Sequence, residues 1–292
     1  MKRWLETKPP RWRKIPKDER HLAEDFLRSR EKFCVSAAAR FLRIQEENHG
    51  HVWYLGCPEK NPQKKIGALL LHHRQSLLPV FDKNLHIPGP RFLNRFLGKV
   101  HIHALQGLRE DVELLEGLME AQGYYVSDRI NYDLMGLDKA PEPEALSSGP
   151  PGLILRPPAA GDGEFLFALQ AAYEQEEVLP KAAVFNPAVC RYALDHILSS
   201  ERVLVAELNG QVVGKINTSA RSFTRCQIGG VYVRPDCRGR GITVKMTAVF
   251  AQGILTEEKG ITLFVKKRNA AARAVYRKTG FNVQADYRIS YY

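Results

Sequence analysis

A mostly apolar run, Ile228-Gly229-Gly230-Val231-Tyr232-Val233, leads into Arg234-Pro235-Asp236-Cys237-Arg238-Gly239-Arg240-Gly241. Apolar residues at helical spacing follow it, Ile242, Met246, Val249, Phe250 and Ile254. The run before the turn reads as a strand and the spacing after it as a helix. The turn is also suited to anions. A helix N-terminus carries unpaired N–H groups and a partial positive charge, and Gly239 and Gly241 let phosphate oxygens approach the backbone. Arg238 and Arg240 add charge-assisted hydrogen bonds. Taken alone, the turn reads equally as a solvated basic cap. Two other glycine motifs are excluded: Val244 stands where a dinucleotide fingerprint needs its third glycine, and no Lys-Ser or Lys-Thr follows Gly241.

The sequence around this unit is ordered as strand, two helices, three strands, helix, strand, helix, strand. Leu153-Ile154-Leu155-Arg156 is the first strand. Residues 163–179 are helical, with Phe165, Leu166, Leu169 and Ala172 expected on one face. A second helix runs over about 187–199, with Asn186 as cap and Pro187 in its first turn. Asn209-Gly210 joins Val203-Leu204-Val205-Ala206 to Val212-Val213-Gly214-Lys215 as a two-residue hairpin. Ile261-Thr262-Leu263-Phe264-Val265 is apolar enough to be buried on both faces. A helix then spans about 270–278 and stops at Gly280, before a final strand from 281 onward.

A run rich in Pro, Gly and Ser at 139–152 divides the chain, and it is expected to form a linker without a helix. The organisation expected is a basic segment at 1–20, a domain at 21–138, the linker, and a second domain at 153–292. The first half echoes the second: residues 116–126 parallel 273–283, both reading as helix, glycine, aromatic and β-branched strand residue, with Gly123 and Gly280 set 157 positions apart. Such a long internal period signals a duplicated domain, the alternative being chance similarity of two helix–glycine–strand units.

Charge and cysteine content bound the function. A net charge of +11 favours an anionic ligand or partner, and residues 1–20 alone hold eight Lys or Arg against three acids. The five cysteines form no C-x-x-C pair, so neither a zinc site nor a disulfide framework is expected. Cys237 adjoins the turn but is read as incidental. His101 and His103, placed on one face of a strand over 100–103, lack further ligands for a metal. No apolar run reaches the ~20 residues of a bilayer span. A cytoplasmic protein without metal is expected.

The strand before the turn, Arg238-Gly239-Arg240-Gly241-Ile242, and Asn269, Ala272, Tyr276, Gly280 and Phe281 after it together resemble the GNAT superfamily of acetyl-CoA-dependent N-acetyltransferases, over about residues 153–292. Arg238, Gly241 and Thr243 fall on the family's phosphate motif, with Thr243 where a smaller residue is usual. The resemblance implies an α/β, α+β-type mixed sheet in two tandem domains, each mostly antiparallel and flanked by helices. It implies acetyl-CoA as co-substrate, with Arg238, Gly239, Arg240, Gly241 and Thr243 on the pyrophosphate. It implies a pantetheine arm lying as a pseudo-strand against the backbone of Val231 and Val233, where that strand splays from Leu263-Phe264-Val265, with Asn269 on its amide. Tyr276 would stand near the thioester sulfur.

The chemistry requires a neutral amine, a polarised carbonyl and a proton for the leaving thiolate. Tyr276 is the candidate acid. Glu174, Glu176 and Glu177 cluster at a helix C-terminus, against the helix dipole; Glu177, beside Val178-Leu179, is the candidate base. In the first half Met119 matches Tyr276 and Val112 matches Asn269, while Arg95 and Gly98 keep only part of the turn motif. One active copy per chain is expected. The alternative is a non-catalytic regulatory protein binding acyl-CoA or a polyanion, nucleic acid included, for which the Arg and Trp residues at Arg3-Trp4 and Arg11-Trp12-Arg13 would serve.

Overall fold

The fold is that of a computed structural model, which describes residues 12–56, 66–83, 96–97, 99–180 and 183–292. Its elements in chain order are β1 (Trp12–Lys14), α1 (Arg20–Arg28), α2 (Glu31–Glu47), β2 (His51–Gly56), β3 (Ile66–His73), β4 (Ser76–Phe81), β5 (Ala104–Leu108), α3 (Arg109–Glu120) and β6 (Asp128–Leu137). There follow α4 (Pro143–Leu146), β7 (Leu153–Arg156), α5 (Gly163–Tyr173), a π-helical turn (Glu174–Val178), α6 (Pro187–Ser200), β8 (Val203–Leu208), β9 (Gln211–Arg221), β10 (Arg225–Val233), α7 (Ile242–Ile254), β11 (Gly260–Lys266), α8 (Ala270–Lys278) and β12 (Asn282–Tyr291).

Contacts divide the chain into two units, residues 1–131 with 286–292, and residues 132–285. In the first, the strand order is β1-β2-β3-β4-β5-β12; every pair is antiparallel except β4 with β5. In the second, the order is β7-β8-β9-β10-β11-β6, antiparallel except for β10 with β11. The two units share one connectivity, as a duplicated fold requires, and each takes its sixth strand from the other half of the sequence.

Local signals explain the second unit's elements. Asn209 and Gly210 both have positive φ, +52° and +78°, which suits a tight hairpin between β8 and β9. The Asn186 side chain accepts from the N–H groups of Ala188 and Val189 and so caps α6. One face of the sheet packs Ile216, Ile228 and Leu263 against Met246 and Phe250 of α7 and Tyr276 of α8. The other packs Val205, Val212 and Tyr232 against Leu166 and Leu169 of α5 and Leu194 of α6. Each such side chain, fully buried, stabilises by about 1.5–3 kcal/mol.

Three expectations change. Phe165 is exposed, while Leu166 and Leu169 carry the buried face of α5: the helix meets the sheet over a narrower stripe than the sequence pattern drew. His101 and His103 precede β5 instead of lying on a strand, because the strand begins only where β4 offers a partner at Ala104. The run at 139–152 holds the one-turn helix α4, begun by Pro143 at a position that needs no N–H; Ala145 packs on Val244 and Ala248 of α7. Of the basic segment, residues 12–14 form β1, and Arg3, Trp4 and Arg11 lie outside the described residues, as do Cys57, Arg95 and Gly98. The other four cysteines are free and buried. No helix among the described residues is long and apolar enough to cross a membrane.

Candidate active site

β10 pairs with β11 only at its start, over Arg225 to Gln227 against Gly260 to Thr262. Beyond that the two parallel strands have no register partners on each other, leaving a cleft. On its other side β10 carries a bulge against β9 between Gly229 and Tyr232. A bulge breaks the ladder and re-aims the backbone. Gly230 sits in it at φ +59°, where a Cβ would collide with the side chains of Asn217 and Lys215. The Arg234 N–H donates to Val213 O at 2.8 Å. By the alternation of a strand, the N–H of Val233 then lies on the cleft side.

The glycine turn closes one end of the cleft. Gly239 has φ +77° and nothing within 4 Å of where its Cβ would stand, so its backbone is open to a ligand. Gly241 is the N-cap of α7, also at φ +77°, but its Cβ would meet the backbone N of Gly149 at 2.9 Å. The second glycine thus serves the docking of the segment after α4. Arg240 is exposed and Thr243 half-buried in the first turn of α7. Arg238 is engaged: it gives two hydrogen bonds to Glu176, at 2.9 and 2.8 Å, and a third from Nε to Val233 O at 2.9 Å. The Tyr232 hydroxyl also donates to Glu176. Arg238 therefore holds the π-helical turn onto β10, and Gly239 and Arg240 are the parts of the motif left free for an anion. Pairing with Arg238 holds the Glu176 carboxyl below the usual carboxylate range.

The same turn presents Glu177. Its carboxylate accepts from Asn269 Nδ2 at 2.9 Å and faces Lys266 Nζ at 3.6 Å, at the end of β11. The Asn269 Oδ1 in turn caps α8 by accepting from Ala272 N–H. Burial holds the Lys266 amine below its ordinary value, opposed by Glu177. On α8, burial pushes the Tyr276 hydroxyl well above its usual range, reinforced by Tyr173 and Glu177. The phenol is a proton donor throughout neutral pH. The expected residues fall into two groups: Glu177, Asn269 and Tyr276 around the turn and α8, and Val231, Val233 and Arg238 to Thr243 along β10 and the α7 N-terminus.

Four neighbours escaped the sequence reading. Lys215 of β9 is 1% exposed; its Nζ donates to Gly230 O at 3.1 Å and to Asn217 Oδ1 at 3.0 Å. Burial pushes its amine down to about 7, opposed by Glu174 and Cys190. Tyr173 hydrogen-bonds the Gly230 backbone. Lys266 and Asn217 complete the set. The available signals were a lysine inside the apolar run Val212-Val213-Gly214-Lys215-Ile216 and the Gly229-Gly230 pair in a strand, since paired glycines in a strand mark a bulge.

The first unit has a corresponding place. β4 and β5 pair only over Ser76 with Ala104 and Leu77 with Leu105. The Asp82 N–H bonds Gly67 O on β3, so the N–H positions of residues 79 and 81 face away from β3. Pro79 has no N–H to offer, and the Phe81 N–H is taken by Asp111 Oδ2 at 3.2 Å. Burial pushes the Asp111 carboxyl up to about 7.

Residues 166–281 match the profile described as the Acetyltransferase (GNAT) family. The fold is similar to that of a Drosophila protein, at 12% identity and TM-score 0.64, covering 96% of this chain and 98% of that one. It is similar to a GCN5-related N-acetyltransferase from Sphaerobacter thermophilus, at 19% identity and TM-score 0.58, covering 97% and 95%. It is also similar to a tandem GNAT protein from the clavulanic acid biosynthesis pathway, at 12% identity and TM-score 0.57, covering 96% and 97%. No curated protein matches the chain in sequence.

Proposed function

From the match of residues 166–281 to the Acetyltransferase (GNAT) family and the likeness of the fold to that of a tandem GNAT protein, we propose that this chain is a tandem GNAT protein and an N-acyltransferase moving an acetyl group from acetyl-CoA to an amine in a ternary complex. The observation that carries the reading is the cleft between β10 and β11, ending at the open backbone of Gly239 before the N-terminus of α7. That geometry supports a pyrophosphate on the N–H groups from Gly239 to Thr243 with Arg240 beside it, and an extended amide arm along Val231 and Val233. A pyrophosphate at a helix N-terminus is favoured by dipole and donors together.

The reaction forms a nitrogen–carbon bond and breaks the carbon–sulfur bond. The amine proton passes to Glu177, and Tyr276 protonates the leaving thiolate. Glu177, close enough to bear on the ionisation of Tyr276, returns the proton to the phenol. Backbone N–H groups at Val231 and Val233 stabilise charge on the carbonyl oxygen. Holding the two substrates together supplies the rest of the barrier reduction.

Thermal shift with acetyl-CoA tests the donor site, because a ligand of the native state raises the melting temperature. Aspartate tolerates positive φ but repels phosphate, so Gly239→Asp is expected to abolish the shift. An unaltered protein that shows no shift would sink the proposal. A second reading, a regulatory protein that binds acyl-CoA or a polyanion without turnover, is favoured by one observation: Glu177 is already engaged by Lys266 and Asn269. Thiol release with a panel of amines separates the two.

A further inference from the structure

We propose that Lys215 is a positioning residue of this site, holding the bulge of β10 so that the Val231 N–H stands in the cleft as a donor to the thioester carbonyl. This rests on the acyl-transfer reading above.

Gly230 and Val231 have no register partner on β9 or on β11, so no ladder fixes the peptide between them. A buried side chain does so instead: Lys215 Nζ holds the Gly230 carbonyl. The Tyr173 hydroxyl steadies the preceding peptide, accepting from the Gly230 N–H. In a trans peptide the C=O and the following N–H point in opposite directions. With the Gly230 carbonyl drawn to the lysine on the β9 side, the Val231 N–H must face the other way, into the cleft. A cation on the carbonyl also polarises that peptide and strengthens its N–H as a donor. The lysine is too deeply buried to meet a substrate, so it acts through the peptide.

An apolar side chain would fill the same space without the cost of burying an ammonium. The groups facing the amine are Tyr173, whose ring centroid is 5.5 Å from Nζ, Glu174 on the same turn and Cys190 of α6, Asn217 on its own strand and the Gly230 carbonyl. Glu174 is in turn hydrogen-bonded by Gln170 and Cys190. With the amine brought down to about 7, the lock on the bulge weakens as pH rises through that value.

The test compares wild type with Lys215→Met. Acetyl-CoA affinity by calorimetry is expected to stay within about threefold, because the turn at 239–243 is untouched. The kcat is expected to fall about 100-fold, the effect of losing one carbonyl donor, and the wild-type fall in kcat through about pH 7 is expected to vanish. A variant kcat within twofold of wild type with an unchanged pH profile overturns the proposal. A measurement on wild type alone guards against a variant that does not fold: the Val231 amide resonance is expected to titrate with a midpoint near 7, and a flat amide overturns the proposal. If the amide titrates while no amine yields thiol release, the acyl-transfer reading fails and the coupling of Lys215 to the bulge stands.

Discussion

At the scale of single residues, the two glycines of the turn separate cleanly. Both need positive φ, which costs about 1 kcal/mol in any other residue, but only Gly241 lies against other backbone. Gly239→Ala is expected to lower stability by about 1 kcal/mol and Gly241→Ala by about 2–3 kcal/mol, read by urea denaturation. Their shared motif thus hides two jobs, one open to ligand and one packed on Gly149. Lys215 gives a pH prediction. Its folded value of about 7 lies below its ordinary 10.5. Below the lower value the amine is charged in both states and the burial cost is full. Between the two, the unfolded chain holds more protons, so stability rises with pH. The melting-temperature advantage of Lys215→Met over wild type is therefore expected to shrink between pH 7 and 10. A constant difference would show that the amine is not depressed.

At the scale of elements, α8 and the π-helical turn are joined through one side chain. Asn269 caps α8 with its oxygen and holds Glu177 with its nitrogen. Asn269→Ala is expected to cost about 1 kcal/mol of stability as a lost cap. Asn269→Ser keeps a cap but cannot reach Glu177. Stability near wild type with reduced thiol release by the serine variant would isolate the second contact; equal activity would deny it a role. The sequence carried these elements well where the cause was local. The Asn209-Gly210 hairpin, the Asn186 cap and the apolar run of β11 follow from neighbours in the chain. The pairings of Arg238 with Glu176, 62 residues away, and of Lys215 with Gly230 do not, because each depends on which strands lie side by side. The π-helical turn was read as ordinary helix for the same reason: its shape answers to β10 and β11, not to its own residues.

At the scale of the whole molecule, the two units have the same strand order and different clefts. The first offers no free donor on the cleft side of β4 at positions 79 and 81, since one residue is proline and the other is bonded by Asp111. Calorimetry is therefore expected to give one acetyl-CoA per chain, and two equivalents would refute it. The duplication was legible as a distant echo of helix and glycine. The exchange of sixth strands was not, because a strand's residues do not reveal which sheet they join. Removal of residues 286–292 is expected to unfold the first unit at lower denaturant while residues 132–285 keep their transition, followed by tryptophan fluorescence, since Trp12 and Trp53 lie in that unit and the second holds none.

Because the stretch of β12 that completes the N-terminal sheet belongs to residues 287–291, β5 is paired on one side only, with β4, while the ribosome is still reading the message for the preceding part. Domains made in tandem usually close one after another as they emerge. Here the first to be made is the last to be finished, and until then it exposes an open strand edge of the kind that pairs with other chains.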